Sequence, residues 1–413
     1  MRLLYTCVLV LLLPWTLLHL LLRARRQPGY LRHVAERFGY YQASPQTPLI
    51  WLHAVSVGET RAAEPLVRAL QARNPQCRIL LTHMTPTGRD TGEALFGGTV
   101  ERCYLPYDYP GAVARFLEHF KPRAGIVMET EIWFNLIHAC TERGIPLHLV
   151  NARLSEKSFT RYLRIRRLAQ AGLNELASIA AQTSADAQRF EALGARNVQV
   201  VGNVKFDISP APELVALGQS WRASWGVSRP VWLAASTRAG EEVLLLEVLD
   251  QIHVPGLLTI IVPRHPQRFD EVAQLLRRRA ISYSQRSRGE WPDANTRVWL
   301  GDTMGEMSAY YAACDVAFIG GSLRPFGAHN LLEACVAGKP VIVGPSTYNF
   351  QEATELGVAA GGVVQVQDAA AVATEVTALL TDTARRKAMG DAAHSFAESH
   401  RGAVDRLFEL LNL

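Results

Sequence analysis

The stretch PLIWLHAVSVGETRAAEPLVRALQAR, residues 48–73, contains a complete strand–loop–helix unit. The apolar run PLIWLH lacks polar alternation, which is typical of a parallel strand buried on both faces. A loop of small residues follows, and a helical pattern begins near Glu59. This carboxylate stands where a strand ends and a helix starts. It either complements the helix dipole or takes a proton from a substrate.

The same order of short apolar run, loop and helix recurs along the chain. The runs are CRILLTHM, AGIVMET, PLHLVNARL, LASIAAQ and VQVVGNVKF in the first half, and VWLAAST, GLLTIIVPRHP, TRVWLGDT, VAFIGGS and KPVIVGPS in the second. Repeated strand–helix order predicts α/β structure with a doubly wound sheet in each half. We therefore expect two Rossmann-like domains facing a cleft, with ligands at the carboxyl ends of the strands.

The composition fits this architecture. The chain has 413 residues, of which 48% are hydrophobic and 20% charged, with a net charge of +5. Such a length accommodates two domains, and such a composition is typical of α/β proteins with sizeable cores. The 6 cysteines form no C-x-x-C pair, so we expect reduced core residues in a cytoplasmic compartment and no zinc site.

The N-terminus predicts a membrane anchor. Residues 3–22, LLYTCVLVLLLPWTLLHLLL, carry no formal charge and would span about 30 Å as a helix. The basic sequence RARR follows directly, which places the rest of the chain in the cytoplasm. A helix lying on the membrane surface is the alternative, and the lack of a polar face disfavours it.

The predicted boundaries follow from these patterns. They are a transmembrane anchor at 3–22, an N-terminal Rossmann-like domain at 23–207, a linker with one helix at 208–230, and a C-terminal Rossmann-like domain with a helical tail at 231–413. Just after the anchor, YLRHVAERFGYY predicts a basic amphipathic helix.

Three motifs of the second half suit a nucleotide. GDTMGEM, residues 301–307, predicts a tight turn whose backbone N–H groups face an anion at a helix start. In GGSLRPFGAHNLLE, residues 320–333, two glycines would allow a ligand close to the backbone, and Glu333 could accept from ribose hydroxyls. PRHPQRF places Arg264 after a buried strand, and STRAGEE places Ser236 and Thr237 at a helix start as hydroxyl donors.

Three motifs of the first half converge on the end of its sheet. TPTG, residues 85–88, is a hydroxyl-bearing loop, and METEIWFN places Glu129 and Glu131 at a strand end. One glutamate is expected in the cleft, and the other as a cap of the following helix. GNVKFD places Lys205 where it could neutralise a carboxylate or a phosphate, although an exposed linker lysine is nearly as consistent with the pattern.

A basic segment follows these motifs. It contains Arg153, Lys157, Arg161, Arg164, Arg166 and Arg167. Their spacing places most of them on one helical flank. Beside a membrane anchor, anionic headgroups or a phosphorylated lipid suit this flank better than nucleic acid does. The sequence contains no D-x-D pair, P-loop, Ser-His-Asp order or H-E-x-x-H, so we expect a sugar donor that requires no divalent metal.

Together these motifs resemble the 3-deoxy-D-manno-octulosonic acid (Kdo) transferases of lipopolysaccharide synthesis. The matching stretches are HAVSVGE, TPTG, ETEIW-F-N, NARLS, PRHPQRF, GDTMGEM, GGSL, HNLLE and GPSTYNF, in the family's order from about residue 30 to 360. The resemblance implies a GT-B fold, with an acceptor domain followed by a CMP-sugar domain. It also implies transfer of Kdo from CMP-Kdo to the phosphorylated lipid A precursor, lipid IVA, at the cytoplasmic face of the bacterial inner membrane by a single-pass protein.

The resemblance also implies roles for particular residues. Glu59 would be the general base, and Glu129 and Lys205 would assist the transition state. The residues implied to contact CMP are Pro263, Arg264, Met304, Gly305, Glu306, Asn330, Leu331, Leu332 and Glu333. The sequence departs from the family at Arg238, Ala328 and Phe134, where histidine, glycine and proline are usual.

The chemistry of such a reaction agrees with these residues. CMP-Kdo carries a single phosphate, so no metal is required to hold a diphosphate. A sugar hydroxyl is a poor nucleophile and needs a base, which predicts direct inverting displacement with Glu59 on the face opposite CMP. A nucleotide-sugar epimerase of GT-B architecture and a non-catalytic, membrane-tethered nucleotide- or lipid-binding protein are the alternatives. The first would need no anchor, and the second would not need Glu59.

Overall fold

The computed structural model describes residues 1–42 and 48–412. It divides into two units, which are Met1–Asp207 together with the residues from Arg401 onward, and Ile208–His400. Each unit contains one sheet of seven parallel strands. This confirms the predicted α/β class with a doubly wound sheet in each half.

In the first unit the strand order is β3-β2-β1-β4-β5-β6-β7. The strands are β1 (Leu49–His53), β2 (Arg78–His83), β3 (Glu101–Tyr104), β4 (Ala124–Met128), β5 (Leu147–Ala152), β6 (Ser178–Ala181) and β7 (Val198–Val200). The helices are α1 (Arg2–Leu11), α2 (Leu13–Arg26), α3 (Val57–Ala62), α4 (Glu64–Arg73), α5 (Pro86–Phe96), α6 (Pro110–Phe120), α7 (Phe134–Glu142), α8 (Glu156–Leu163), α9 (Arg166–Glu175) and α10 (Ser184–Ala192). The strand order reverses between β1 and β4, and such a switch point is where open α/β sheets bind ligands.

In the second unit the strand order is β10-β11-β9-β8-β12-β13-β14. The strands are β8 (Val231–Thr237), β9 (Leu258–Pro263), β10 (Tyr283–Gln285), β11 (Val298–Leu300), β12 (Val316–Ile319), β13 (Val341–Val343) and β14 (Val363–Gln365). The helices are α11 (Pro212–Trp225), α12 (Glu241–Gln251), α13 (Phe269–Arg278), α14 (Met307–Ala313), α15 (Leu332–Val336), α16 (Gln351–Ala359), α17 (Ala369–Thr381) and α18 (Thr383–His400). Here the switch point lies between β8 and β12.

Strand β1 illustrates why apolar runs without alternation form these sheets. Leu49 and Trp51 face one buried cluster, whereas Ile50 and Leu52 face another on the opposite side of the sheet. All four are fully buried. Because successive side chains point to opposite faces, a strand covered on both sides must be apolar throughout.

The last helix, α19 (Ala403–Leu411), differs from the prediction, which places the C-terminal tail in the second domain. It belongs to the first unit. Its apolar face, including Leu407 and Phe408, packs in the same buried cluster as Leu66 and Leu70 of α4. The predicted linker also differs, because helix α11 belongs to the second unit and buries Trp221 and Trp225 there.

The N-terminal anchor is not one continuous helix. Among the described residues, no single helix is long and apolar enough to cross a bilayer. Helices α1 and α2 meet that requirement only together, and they are bent by 53° at their junction. The prediction of a single transmembrane helix over 3–22 is therefore not supported.

Two further local predictions are wrong. The stretch predicted as a basic amphipathic helix forms two 3-10 turns, Pro28–Leu31 and Val34–Phe38, because His33 and Gly39 have left-handed backbones. The basic segment is divided between α8 and α9 rather than forming one continuous flank. Its six cationic side chains are nevertheless all exposed.

Candidate active site

Glu59 lies in the first turn of α3, directly after the switch-point strand β1. Its Oε2 accepts from the backbone N–H of Val55 at 2.9 Å, and its Oε1 accepts from Ser56 Oγ at 3.2 Å. The carboxylate thus satisfies donors at the helix start, as a capping residue does. Each carboxylate oxygen can accept a second hydrogen bond, so this local role leaves capacity for a substrate hydroxyl.

The loop that carries Glu59 is held by the TPTG motif. The carbonyl oxygen of Val55 accepts from the backbone N–H groups of Met84 and Thr85, at 3.2 and 3.3 Å. The hydroxyl of Thr85 also donates to this oxygen, and it accepts from Gly88 N at the start of α5. The predicted hydroxyl loop therefore positions the loop before Glu59 instead of presenting Thr85 to a ligand.

The second carboxylate group follows strand β4, on the other side of the switch point. Glu129 has a left-handed backbone with φ of +60°, which is rare outside glycine and concentrated at functional sites. Its Oε1 lies 3.6 Å from Lys205 Nζ, which confirms that the two sequence motifs come together. Lys205 itself lies in a 3-10 turn, Val204–Phe206, which follows β7, the last strand of the first unit.

Glu131 does not cap the following helix, contrary to one of the two roles expected for this pair. Its Oε2 accepts from Trp133 Nε1 at 2.6 Å. Helix α7 is capped instead by Asp108, whose carboxylate accepts from the N–H groups of Asn135 and Leu136 at 3.0 and 2.8 Å. Asp108 lies in the loop YDYP, which gave no sequence signal for this role.

The carboxylates influence one another electrostatically. Burial raises the pKa of Glu59 to about 7, and the negative charges of Glu129 and Glu131 add to this effect, while the bonds from Val55 and Ser56 oppose it. Burial also raises the pKa of Glu131. A carboxyl group with a pKa near 7 can accept a proton efficiently at neutral pH, which makes Glu59 a candidate general base.

In the second unit, the turn after β11 is held through its acidic residues. Asp302 accepts from Ser287 N at 2.8 Å and from Gln285 Nε2 at 3.0 Å. Glu306 Oε1 accepts from Arg286 Nη2 at 2.8 Å, and its other oxygen accepts from Thr303. Both carboxylates are therefore engaged within the protein.

The residues between these two acids remain open to a ligand. Met304 is 55% exposed, and Gly305 has φ of +84° with no atoms near the position of a Cβ. The guanidinium that holds Glu306 is itself placed over aromatic rings. Arg286 Cζ lies 5.3 Å from the ring centroid of Trp221 and 6.0 Å from that of Trp291.

The segment Asn330–Glu333 contains the start of α15, where Asn330 and Glu333 make capping contacts. Asn330 Oδ1 accepts from Leu332 N at 3.1 Å, and Asn330 Nδ2 donates to Glu333 Oε1 at 3.2 Å. Leu331 and Leu332 are buried, so a ligand here would meet their backbone. Glu333 is partly exposed and borders a cavity of about 320 Å³ within this unit.

Pro263 ends strand β9 beside strand β8, and Arg264 follows it. The backbone N–H of Arg264 donates to the carbonyl of Thr237 at 3.0 Å. Ser236 and Thr237 do not both present hydroxyls, because Thr237 is buried and its Oγ1 donates to Glu242 at 2.8 Å. This corrects the prediction of two hydroxyl donors.

The glycine pair after β12 serves the fold rather than a ligand. A Cβ on Gly320 would lie 2.5 Å from the carbonyl oxygen of Ser236, so close strand packing requires glycine there. Gly321 has φ of +73°. Its N–H donates to Glu241 Oε2 at 2.6 Å, and Glu241 accepts two further backbone N–H groups. Glu241 is fully buried, and its place in AGEE reads as an ordinary solvated helix start, so the sequence did not reveal it.

The three departures from the family pattern have defined environments. Arg238 Nη1 lies 2.7 Å from His265 Nε2 and its guanidinium stacks on Phe326. Ala328 has φ of +62°, a conformation that explains why glycine is usual there. Phe134 is buried at the start of α7.

Among the residues that the structure describes, no group of three or more His, Cys, Asp or Glu side chains could hold a metal ion.

Comparison with known proteins decides the family. A model described as 3-deoxy-D-manno-octulosonic-acid transferase (kdotransferase) matches residues 32–208, and one described as glycosyl transferases group 1 matches 292–396. A 3-deoxy-D-manno-octulosonic acid transferase of Bordetella pertussis is 42% identical over 98% of this chain and 98% of its own length. The chain belongs to the Kdo transferase family. It is thus a glycosyltransferase of Kdo in lipopolysaccharide synthesis, and the resemblance noted from its motifs is confirmed.

Other comparisons agree. A 3-deoxy-D-manno-octulosonic acid transferase of Haemophilus influenzae is 40% identical over 99% of this chain and 98% of its own length. The crystal structure of Acinetobacter baumannii MurG matches with a TM-score of 0.56 and 13% identity, over 88% of this chain and 99% of that one. The latter similarity supports the GT-B-like fold of this Kdo transferase family member.

Proposed function

We propose that this protein transfers Kdo from CMP-Kdo to the phosphorylated lipid A precursor, lipid IVA, with inversion at the anomeric carbon. The observation that carries the proposal is Glu59, a carboxylate at the switch point of the first sheet with a pKa of about 7. Membership of the Kdo transferase family supports Kdo as the transferred group. The resemblance of the motifs supports CMP-Kdo as the donor and lipid IVA as the acceptor.

The proposed step is a single displacement. A sugar hydroxyl oxygen of the acceptor attacks the anomeric carbon of Kdo while the bond from that carbon to the CMP phosphate oxygen breaks. The hydroxyl proton passes to Glu59, and CMP leaves as an anion. Ionised Glu59 is the form that accepts the proton, so the step requires a pH near or above its pKa.

Glu129 and Lys205 are proposed to assist this step as a pair. Their charged atoms lie 3.6 Å apart, and each side chain is about one-third exposed. Partial exposure leaves both groups accessible to a substrate. The ammonium group of Lys205, beside Glu129, can offset negative charge that develops as the donor bond breaks.

The second unit is proposed to bind CMP through Pro263, Arg264, Met304–Glu306 and Asn330–Glu333. Arg264 would meet the phosphate, and Glu333 the ribose hydroxyls. The buried side chains of Leu331 and Leu332 restrict their contribution to the backbone. A donor with one phosphate needs no metal, so we propose a metal-independent reaction without a cofactor.

The catalytic units are proposed to work on the cytoplasmic face of the bacterial inner membrane. Residues 2–26 and the exposed cations of α8 and α9 would hold them there, because an anionic leaflet attracts such side chains. The single pass predicted from the apolar run would need both helices of the bent pair, whereas attachment of the same helices along the leaflet would place the units on the same face. Nucleic acid is not a proposed partner.

Family membership weighs against both alternatives, an epimerase and a non-catalytic binding protein. The test of the proposed reaction is the product of CMP-Kdo and lipid IVA with detergent-purified protein. Nuclear magnetic resonance should show one new glycosidic linkage of inverted anomeric configuration for each CMP released. Retained configuration would refute the single displacement, and release of CMP without transfer would favour the alternatives.

A further inference from the structure

Helix α1 carries polar side chains that contact the first unit. The hydroxyl of Tyr5 donates to Asp108 Oδ2 at 2.9 Å, and Thr6 Oγ1 donates to Asn135 Oδ1 at 3.0 Å. The hydroxyl of Tyr109 donates to a backbone carbonyl of the same helix at 3.1 Å. These three bonds join α1 to the start of α7 and to the loop before α6.

The acceptor of the Tyr5 bond is a buried carboxylate. Asp108 is 4% exposed and also accepts the N–H groups of Asn135 and Leu136. Asn135 Nδ2 in turn donates to the Asp108 carbonyl at 2.7 Å. A buried carboxylate is tolerated only when donors surround it, so the Tyr5 hydroxyl is part of what stabilises this charge.

The contact has an apolar part as well. The rings of Tyr5 and Phe134 meet edge to face with centroids 5.2 Å apart. Tyr5 borders the same buried core cluster as Phe159 and Tyr162 of α8. One face of α1 is therefore packed against the unit by both polar and aromatic contacts.

The opposite face of α1 is apolar and uncovered. Leu3 is 77% exposed and Leu11 is 79% exposed, and Trp15 of α2 is 61% exposed. Exposed cations occur at the end of the helix pair and in a second segment of the same unit. Arg23 and Arg25 lie in the last turn of α2, and the cations of α8 and α9 accompany exposed Leu163 and Ile165. Apolar side chains with flanking cations fit the interface of an anionic lipid leaflet.

We propose that α1 is a docked part of the first unit whose outer face enters one leaflet of the membrane, so that residues 2–26 lie along the membrane instead of crossing it. A straight pass would remove Tyr5 and Thr6 from Asp108 and Asn135. Their hydroxyls would then lie in hydrocarbon without these partners, and Asp108 would lose a donor.

This arrangement also affects the reaction, a consequence that rests on the proposed function. Helix α7 begins directly after the loop that carries Glu129 and Glu131, and α1 docks on its first turn. The lipid surface is thereby brought beside the carboxylates. An acceptor can keep its acyl chains in the leaflet while its sugar reaches the base, which makes Tyr5 and Thr6 positioning residues for the acceptor.

Photo-crosslinking in membranes tests the docking without requiring activity. The full chain would carry Tyr5→benzoylphenylalanine, with Leu11→benzoylphenylalanine as the matched control on the exposed face. Mass spectrometry should find the first probe joined to a peptide containing Asp108 or residues 134–142, and the second joined to lipid. Lipid adducts alone from the position of Tyr5 would overturn the proposal.

Kinetics test the positioning role. Each hydrogen bond contributes about 1 kcal/mol, so Tyr5→Phe and Thr6→Val should each raise the KM for the lipid acceptor about fivefold and leave the KM for CMP-Kdo unchanged. Val8→Leu, which keeps an apolar side chain on the exposed face, is the control and should match the wild type. Unchanged acceptor KM in both variants would refute positioning. Absence of transfer by the wild type would refute the proposed function instead, since the crosslinks report docking independently.

Discussion

Replacing Glu59 by glutamine should abolish most of the transfer while making the protein more stable at alkaline pH. The substitution keeps the shape of the side chain and an oxygen that can accept from Val55 N. It removes a charge that the site disfavours, and it removes the group proposed to accept the proton. The expected loss of transfer together with a gain in stability distinguishes a catalytic base from a residue that only caps the helix.

The magnitude follows from the pKa. A value of about 7 in place of 4.5 corresponds to about 3 kcal/mol against the ionised form. Because the folded-state pKa is raised, this cost is absent below the unfolded value and complete above pH 7. Partial exposure to solvent reduces it, so Glu59→Gln should raise the free energy of unfolding by about 1–2 kcal/mol at pH 8 and by nearly nothing at pH 4.

The catalytic effect should be larger than the change in stability. Loss of a positioned general base lowers turnover about 100- to 10,000-fold. Wild-type turnover should also rise as the pH passes through about 7, and this limb should disappear in the variant. Initial rates between pH 6 and 9 measure turnover, and urea unfolding at pH 4 and 8 measures stability. Calorimetry of CMP binding shows that the variant is folded. Full activity, or a loss of stability at pH 8, would refute the reasoning.

Three other substitutions probe the remaining parts of the site. Lys205→Met should lower turnover about tenfold. Loss of its pair with Glu129, in which each side chain is about one-third exposed, should change the free energy of unfolding in urea by less than about 1 kcal/mol. Wild-type rates in the variant would contradict the catalytic role. Glu241→Ala leaves three backbone N–H groups without their buried acceptor. It should therefore destabilise the second unit by about 3 kcal/mol or more, which calorimetry would show as a lower Tm. An unchanged Tm would contradict this prediction. Arg286→Ala should raise the KM for CMP-Kdo about tenfold and leave the KM for the acceptor unchanged, because it removes a charged hydrogen bond that holds the turn of the proposed CMP site. Substitution of the more exposed Arg288 by alanine is the control. Equal effects of the two substitutions would argue against a role of Arg286 in positioning this turn.

The buried strands could be predicted from the sequence because a strand covered on both faces is apolar throughout. The apolar runs do not predict strands β3, β10 and β14. Each has three or four residues and lies at the edge of its sheet, where partial burial removes the continuous apolar run.

The convergence of Glu59, Glu129 and Lys205 could also be predicted, because parallel strands bring their carboxyl ends to one edge of a sheet. The roles of the buried carboxylates Asp108 and Glu241 could not be predicted. Asp108 and Glu241 each accept two backbone N–H groups from a segment distant in sequence. Only the tertiary structure brings those donors together, and a lone acidic residue in a loop or at a helix start carries no local sign of them.

The N-terminal segment is a further part of the structure that the sequence predicts only incompletely. Its length and hydropathy predict a single pass, since both properties are counted along the chain. The contacts of Tyr5 and Thr6 depend on a partner surface more than 100 residues away. The same apolar composition is compatible with a helix that is docked on one face and lipid-facing on the other.

The central claim is tested most directly by incubating detergent-purified protein with CMP-Kdo and tetra-acylated lipid IVA in the presence of EDTA, and weighing the lipid product by mass spectrometry. The account predicts a product heavier than the acceptor by a whole number of Kdo residues, with transfer unaffected by the chelator. A well-folded protein that binds CMP but leaves the acceptor mass unchanged would contradict it.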